Sequence, residues 1–471
     1  MTQKNRIVLQ SFYIFNSTLC LKEGEEEKKI LFYHPFSADI DTKIRSIGLV
    51  EAVIKFTETF NSKEPCNSVH TQKTRQVYLQ VEPNFWMVMI VNVPNVSKTK
   101  DGTEYNEYQG DEIQDNVYIS VLKQMYALFR LLSGTFQSLL DSSGVECLRQ
   151  CLELFFPKHL LTLKFEHFDV LNIFNGMQYL PLNSITFLNV LCFVNQIQNH
   201  FPSIKSTAFM YNDSLIWTGI EPSNFQPIYQ YMVTILLPAH VEIELKGGSM
   251  PRHSGFFSPS QPLHYCRYVI GPQSLTENST VGKIPKVYVH SSATNQLEEY
   301  YLIVYRGFSS SVILFLDIKT DLTMELFTKL DTYMEPNLTK LGSDIAEYCS
   351  SQQIPSLITS VGDSGPRYVF FNNMNLAYKS TIHLDNRQSG NINISHEALK
   401  LIADIKSESI TNSIFGETVV KTLNDYWVVG KFSNKREFYV AIQHKNANLI
   451  EISEEVKKLC DGELKGIFFQ T

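Results

Sequence analysis

One local pattern is written three times along the chain. An apolar strand is followed by a short turn rich in Asn, Asp or Gly, a second apolar strand and then a helix. The three copies open at residues 7–15, 207–211 and 368–371. Asn and Asp between apolar runs favour tight hairpins because these residues tolerate a positive φ. The repetition therefore predicts three domains of the same architecture.

Each copy continues with two alternating strands and a closing helix. This order predicts an α/β (α+β) fold in which a mainly antiparallel sheet is flanked by helices. The first helices are predicted at 40–60, 221–237 and 395–405. The later strands are predicted at 69–79 and 85–93, at 301–305 and 312–316, and at 426–429 and 438–442. The closing helices are predicted at 117–132, 323–349 and 449–460.

The length of the chain agrees with three domains. At roughly 150 residues per domain, 471 residues predict about three. We expect the boundaries to divide the chain into residues 1–165, 166–350 and 351–471.

Composition narrows the cellular setting. No run reaches the length of about 18 apolar residues that a membrane helix needs, and the first residues lead into a strand without a signal-peptide pattern. The eight cysteines lie mostly in apolar stretches, which indicates reduced core thiols. A net charge of -7 without a basic face argues against nucleic acid. The basic pairs Lys435-Arg436 and Lys457-Lys458 are interpreted as solvated surface, with lipid contact as the alternative. The sequence predicts a cytoplasmic protein.

Two motifs imitate active sites. Residues 362–366 resemble the loop around a serine-protease nucleophile, with Ser364 in its place. A triad also needs a His base held by a buried carboxylate, and no His lies in such a context. We interpret this segment as a linker because Gly, Asp, Ser and Pro punctuate loops. A hydrolase built on Ser364 would lose all activity on Ser364→Ala.

The second motif is the pair Cys147 and Cys151, one helical turn apart, which could bind a metal with His159 or His167. Zinc usually takes its ligands from two close pairs, and Pro157 is expected to end this helix before either His. Core packing is the favoured interpretation. The chain also has neither a phosphate-binding Gly-x-x-x-x-Gly-Lys-Ser/Thr motif nor a dinucleotide-binding Gly-x-Gly-x-x-Gly motif. No catalytic residue, cofactor or metal is predicted, and the chain is not expected to be an enzyme by itself.

The helix at 40–60 is more apolar than one sheet requires. At 100° per residue its apolar positions form two stripes about 160° apart. The first stripe is Leu49, Ala52, Val53, Phe56 and Phe60, and the second is Ile40, Ile44, Ile47, Val50 and Ile54. A helix on the outside of one sheet buries one stripe, so the other must meet another domain of this chain or another protein.

We predict that the second stripe binds a partner protein. A polar run and an aromatic residue follow it in sequence and are predicted to extend this surface, since Arg and Trp are enriched at binding centres. The predicted contact residues are Ile44, Ile47, Val50, Ile54, His70, Gln72, Lys73, Arg75, Gln76 and Trp86. Solvation of the polar run and burial of Trp86 in the core are the alternatives.

Several long, aromatic-rich segments resemble one known family. Residues 30–35, 70–73, 84–89, 426–431 and 445–451 are similar to the matching segments of the animal Ccz family, the calcium-caffeine-zinc sensitivity subunits of the Mon-Ccz complex. The resemblance covers most of the chain. Residues 246–282 match no motif of that family and carry nothing over.

The resemblance implies a triple-longin protein that forms a heterodimer with the Mon subunit. Together the two subunits would be a guanine nucleotide exchange factor that releases GDP from the late-endosomal Rab GTPase. The implied processes are endosome maturation, lysosome fusion and autophagosome maturation. The family also implies a third subunit with a β-propeller, recruitment to endosomal membranes through phosphoinositides bound by the complex, and location at late endosomes, lysosomes and autophagosomes.

The resemblance also implies a mechanism without bond chemistry. First longin domains of both subunits would grip the switch regions of the GTPase and open its nucleotide pocket. An alternative reading is a non-catalytic longin adaptor or tethering subunit, which would share the fold but leave GDP release unchanged.

Overall fold

In the computed structural model, the described residues form three large sheets with their helices and one two-stranded hairpin. The structure describes residues 6–464 apart from 21, 23, 62–65, 101–102, 111–112, 164, 166–169, 241–265, 273–274, 276–280, 282–283, 292–295, 360–366, 383–393 and 413–415. The described chain forms two compact units. One contains Met1–Asn175 and Leu399–Asn412, and the other contains Gly176–Ala398 and Ser413–Thr471.

The first unit is built on a five-stranded antiparallel sheet. Its strands are β1 (Leu9–Asn16), β2 (Ile30–His34), β3 (Ser68–His70), β4 (Thr74–Glu82) and β5 (Phe85–Asn92), in the order β2-β1-β5-β4-β3. A separate hairpin of β6 (Asn95–Lys100) and β7 (Thr103–Tyr108) follows. The helices are α1 (Ile40–Glu58), α2 (Asp115–Ser133) and α3 (Phe136–Thr162), and α3 is interrupted at Gly144, which has a φ of 82°.

Alternation along the two central strands makes both faces of this sheet apolar. Successive residues of a strand point to opposite faces, and β1 pairs with β5 so that Tyr13 lies opposite Val88 and Phe12 lies opposite Met89. Tyr13 and Val88 pack in the cluster that contains α1, whereas Phe12 and Met89 pack in the cluster that contains α2 and α3. The result is three layers, with helices on both sides of the sheet.

Polar contacts fix α3 on its side of the sheet. The carboxylate of Glu82 on β4 accepts hydrogen bonds from the backbone N–H groups of Phe136 (2.6 Å) and Gln137 (2.9 Å), the first residues of α3. Near the middle of the helix, the Arg149 guanidinium donates to the Ile30 carbonyl of β2 at 3.0 and 3.2 Å. A carboxylate is favoured at a helix N-terminus because the backbone N–H groups there have no partner within the helix.

The second sheet belongs to the other unit. It follows helix α4 (Ser184–His200) and contains β9 (Ile204–Tyr211), β10 (Ser214–Thr218), β11 (Cys266–Ile270), β12 (Lys286–Ser291), β13 (Gln296–Gly307) and β14 (Ser310–Asp317), in the order β10-β9-β14-β13-β11 with β12 on β13. Helix α5 (Pro222–Tyr231) continues as a π-helical turn, Met232–Leu236, and α6 (Met324–Thr359) closes the domain. Val190 and Phe193 of α4 share one core cluster with Leu330 of α6.

The third sheet lies in the same unit and includes a strand from an earlier part of the chain. Its order is β17-β18-β19-β15-β16-β8, where β8 (Met177–Gln178) pairs in parallel with β16. The other strands are β15 (Arg367–Asn372), β16 (Ala377–Ser380), β17 (Gly416–Lys421), β18 (Tyr426–Ser433) and β19 (Arg436–Gln443). Helix α7 (His396–Asn412) precedes β17, and α8 (Leu449–Glu463) packs Ile452, Val456 and Cys460 into the third core.

A short segment after α3 bridges the second and third sheets. The Met177 backbone N–H donates to the Leu376 carbonyl (2.7 Å) beside the third sheet, and the Leu180 N–H donates to the Leu215 carbonyl (3.0 Å) of β10. The Tyr229 hydroxyl donates to the Asp213 carbonyl (2.8 Å) and accepts from the Gln178 N–H (3.1 Å). Burial raises the pKa of Tyr229 to about 12, so its proton stays in place for this contact at neutral pH.

The predicted elements are found, and the structure adds strands that were not predicted, namely β8, β11, β12 and β17. Three further differences concern a divided strand, added elements in the first and second domains, and the end of α3. The strand expected at 69–79 is two strands, because a turn from Thr71 to Thr74 reverses the chain. Helix α4 and the β6–β7 hairpin were not predicted. Helix α3 does not end at Pro157. Proline removes one backbone hydrogen bond from a helix, and burial of Phe156 and Leu160 on either side of it accompanies the continued helix.

Because α3 continues past Pro157, His159 lies within the helix and is partly buried. This position gives a prediction for the pH dependence of stability. The His159 ring stacks on Phe155 at 5.6 Å between centroids, and burial lowers the pKa of His159. The unfolded chain then binds a proton at a higher pH than the folded chain, so the free energy of unfolding should fall as the pH drops below about 6.5.

We expect His159→Gln to flatten this dependence in urea unfolding measured between about pH 7.5 and 5.5. His444→Gln, at an exposed position, is the control and should leave the dependence unchanged. An unchanged slope in the His159 variant would contradict the assignment.

Candidate partner-binding surface

Helix α1 is the centre of the candidate surface, and its start is fixed locally. The Asp39 side chain caps the helix by accepting from the Thr42 backbone N–H (3.0 Å) and the Thr42 hydroxyl (2.7 Å). The hydrogen bonds from the Thr42 hydroxyl and backbone N–H lower the pKa of Asp39, which favours the ionised carboxylate as the cap. Lys29 contacts Glu51 of α1 at 2.6 Å, with both side chains mostly buried. These contacts hold one face of α1 towards the sheet.

That inward face is formed by Ile47, Val50 and Ile54 of the second stripe, and the partner prediction for these three residues is wrong; Ile40, at the start of the helix, is exposed. Ile47, Val50 and Ile54 are almost completely buried. They pack with aromatic and aliphatic side chains of the sheet, namely Tyr13, Phe15, Tyr33, Tyr78, Trp86 and Val88. Ile44 is half-buried at the edge of this contact. Burial in the domain's own core leaves no surface of these three residues for another protein.

The outward face of α1 is formed by most of the first stripe and stays exposed, whereas Val53 of that stripe is half-buried and packs against the core under the helix. Leu49, Phe56 and Phe60 have 57%, 65% and 77% of their surface accessible. The Phe56 and Phe60 rings meet edge to face at 5.0 Å between centroids. We call Leu49, Ala52, Phe56 and Phe60 the outer face. Helix α1 therefore does carry more apolar side chains than its sheet buries, as the two stripes predict, but the accessible stripe is the opposite one.

The polar run after α1 divides into exposed and buried parts. His70, Gln72 and Lys73 are exposed at the β3–β4 turn. Gln76 is half-buried and accepts a hydrogen bond from the Tyr78 hydroxyl at 2.8 Å. Trp86 is 6% exposed in the core under α1, so its predicted contact role is wrong. Of the predicted polar positions, His70, Gln72 and Lys73 are the exposed ones.

Arg75 is buried and anchors the N-terminus of α2 instead of a partner. Its guanidinium lies 3.6 Å from the Asp115 carboxylate and donates to the Gly110 carbonyl at 2.6 Å. Asp115 also accepts from the Ser68 hydroxyl (2.6 Å) and contacts the His70 ring nitrogen Nε2 (2.6 Å). Asp115 is the first residue of α2, a position where a carboxylate is stabilising. The prediction that Arg75 contacts a partner is wrong because the side chain is buried and its guanidinium contacts Asp115 and Gly110 within the domain.

The two motifs that imitate active sites gain no support. Ser364 lies outside the described residues, as does His167. Burial and the neighbouring Cys147 thiol raise the pKa of Cys151, which favours a protonated thiol over a metal-binding thiolate. In the part of the chain that the structure describes, no group of three or more His, Cys, Asp or Glu side chains could hold a metal ion. Nor is any helix there long and apolar enough to cross a membrane.

The three sheets match three models of one domain class. Residues 9–134 match the first longin domain of INTU, CCZ1 and HPS4. Residues 204–335 match the Intu longin-like domain 2, and residues 362–459 match the Intu longin-like domain 3. The chain is thus a protein of three longin domains, which confirms the predicted fold class.

Comparison with whole proteins narrows the family. The chain is 42% identical over 465 residues to a vacuolar fusion protein CCZ1 homolog of Xenopus laevis, covering 98% of this chain and 97% of the relative. The homolog of Nematostella vectensis is 43% identical over 462 residues, covering 98% of each chain. The homolog of Dictyostelium discoideum is 27% identical over 464 residues, again covering 98% of each. The chain belongs to the family of vacuolar fusion protein CCZ1 homologs.

The difference in burial between Ile54, which faces the sheet, and Phe56, which faces outwards, gives a stability prediction. Ile54→Ala should lower the free energy of unfolding by about 2–5 kcal/mol because it leaves a cavity between α1 and the sheet. Phe56→Ala, two residues away on the outer face, should change it by no more than about 0.5 kcal/mol. Urea unfolding of the full chain measures both. Equal losses for the two variants would show that the outer face is also buried.

Proposed function

We propose that this chain is one subunit of a heterodimeric guanine nucleotide exchange factor. With the Mon subunit it would release GDP from the late-endosomal Rab GTPase, without bond chemistry of its own. Membership of the vacuolar fusion protein CCZ1 homologs supports a role in vesicle trafficking. The structural observation that carries the proposal is the exposed outer face of α1 on the first longin domain.

The outer face has the chemistry of a protein interface. Aromatic residues are enriched at the centres of such interfaces. Here Leu49 and Phe56 lie on one side of a helix with a capped N-terminus, and the Phe60 ring, in the turn after the helix, packs against Phe56. A row of this kind on an otherwise complete domain favours a partner that packs along the helix. The Mon subunit is our proposed occupant, and the GTPase would contact the composite surface beside it. His70, Gln72 and Lys73 are proposed polar contacts of that surface.

Exchange sets an energetic condition on this surface. A protein can shift the GTPase towards the nucleotide-free state only by binding that state more tightly than the GDP-bound state. To move a population from about 1% to about 99% nucleotide-free GTPase, the exchange factor must bind the nucleotide-free state about 10⁴-fold more tightly than the GDP-bound state. A pre-organised interface loses less entropy on binding, and two paired longin domains supply a larger one than this chain alone.

The experiment is release of a fluorescent GDP analogue from the late-endosomal Rab. The full chain alone, the Mon subunit alone and the co-expressed pair are compared. We expect acceleration only by the pair. If a well-folded pair gives none, the chain is a longin adaptor or tethering subunit.

Variants of the outer face test the surface itself. Leu49→Asp with Phe56→Asp should leave the isolated chain folded and reduce pairing or exchange at least about tenfold, since both side chains are exposed in the free chain. Leu154→Asp with Leu161→Asp is the matched control, because these leucines are also exposed but lie on α3, on the other side of the sheet. Normal pairing and exchange by the outer-face variant would place the interface elsewhere.

The further participants remain proposals of the same kind. We propose a third subunit with a β-propeller, recruitment through phosphoinositides bound by the complex, and action at late endosomes, lysosomes and autophagosomes. The family membership supports them only as far as vesicle trafficking. Co-purification of the complex followed by subunit identification tests the third subunit.

A further inference from the structure

Strand β17 is an open edge of the third sheet. Among the described strands it pairs with β18 alone, and its six residues, Gly416–Lys421, keep one register throughout. The ladder continues one residue further, because the Thr422 backbone N–H donates to the Tyr426 carbonyl at 2.8 Å. The outer side of β17 therefore presents a regular row of backbone groups.

Other sheet edges of this chain are occupied. Unpaired backbone groups at an edge can bind a further strand, and proteins usually block them. In the first sheet the Arg149 guanidinium donates to the Ile30 carbonyl of β2. In the second sheet the Asn224 side-chain amide donates to the His290 carbonyl of β12 at 2.6 Å. At the far end of the third sheet, β8 pairs with β16. Within the part of the chain that the structure describes, β17 has no such cover.

The hydrogen-bond pattern identifies the residues that face the open side of β17. In an antiparallel pair, hydrogen-bonded and non-hydrogen-bonded residue pairs alternate along the strand. Thr422 bonds to β18, so the other even-numbered residues of β17 do the same. Glu417, Val419 and Lys421 therefore direct their backbone N–H and C=O groups outwards. Their side chains share one face of the sheet, which is the α8 face because Val419 packs against the third core.

This row is complementary in charge to a second copy of itself. An antiparallel β17 centred on Val419 places Glu417 opposite Lys421 at both ends of the strand pair. Both side chains are exposed, and opposite charges across a strand pair stabilise it. A shift of two residues in either direction leaves both charges opposite uncharged residues, and a shift of one residue loses the match of the outward backbone groups. The charges therefore favour one register.

We propose that two copies of this chain pair through β17 as an antiparallel, two-fold symmetric dimer. Each of the three outward residue pairs would exchange two backbone hydrogen bonds, and the same patch would serve both copies, as in other two-fold interfaces. One strand pair is a small interface, so the dimer is expected to dissociate readily. The contact uses other residues than the outer face of α1 and does not depend on the proposed exchange function.

Sedimentation velocity of the full chain between about 1 and 100 μM tests the proposal, since small interfaces dissociate in this range. We expect a reversible dimer that forms as the concentration rises. Lys421→Glu should weaken it at least about tenfold, because the change places like charges opposite each other at both ends. Lys340→Glu makes the same charge change at an exposed position of α6 and is the matched control. It should leave the dimer unchanged.

A proline variant tests the backbone contact separately from charge. The Val419 N–H points away from β18, so Val419→Pro removes no hydrogen bond from the sheet of the single chain. We expect this variant to keep the circular dichroism spectrum of the wild type and to lose the dimer. A folded variant that still dimerises like the wild type would overturn the proposal.

Cross-linking tests the register. A short thiol-reactive cross-linker should join Glu417→Cys protein to Lys421→Cys protein when the two are mixed, because a hydrogen-bonded pair holds its Cα atoms about 5.5 Å apart. Either protein alone should give no more product than the wild type, whose own cysteines supply the background. Equal cross-linking of the Glu417→Cys protein with itself would contradict the register and overturn the proposal.

Two further outcomes separate this dimer from other associations. Self-association through the outer face of α1 would be lost in Leu49→Asp with Phe56→Asp and kept in Lys421→Glu, and that result would overturn the assignment to β17. A wild-type chain that stays monomeric over the whole range would also overturn it and would leave a strand of another protein as the occupant of this edge.

Discussion

The first domain depends on burying both faces of one sheet. Tyr13 and Phe15 of β1 point to one side, while Phe12 and Ile14 point to the other, and all four are fully buried. Helices α2 and α3 together cover one side. The other side has α1. A helix is about 10 Å wide and five strands span roughly 20 Å, so one helix cannot cover the whole face. Partly buried apolar residues remain beside α1, among them Val69 and Ile90.

This constraint explains why α1 is apolar on two sides. Its inward side chains fill the space over the aromatic rings of the sheet, whereas its outer face points away from the sheet and stays exposed. Burial of only one side of a helix leaves the opposite side accessible, and the apolar residues there are the ones that a further protein surface could cover.

The strands were predictable because their signals are local. Alternation, β-branched and aromatic residues, and Asn or Asp at turns mark each hairpin; Asn212 indeed has a φ of 52° in the turn between β9 and β10. The choice between the two stripes of α1 was not predictable in this way. Both stripes consist of apolar residues, and the one that is buried is the one that packs over Tyr13, Tyr33 and Tyr78. Those partners are set by the fold and not by the neighbouring sequence.

The same reasoning applies to the polar part of the site. Arg75 lies in a polar run that predicts an exposed position, yet it is buried. Its ion-pair partner Asp115 is forty positions later in the chain, at the start of α2, so the local sequence could not indicate the contact. Likewise, Leu399–Asn412 of α7 belongs to the first unit, where the Asn116 side-chain amide donates to the Ser407 hydroxyl at 2.7 Å. The domain boundaries at 165 and 350 stay a prediction, and this helix shows that sequence order alone does not assign a segment to a core.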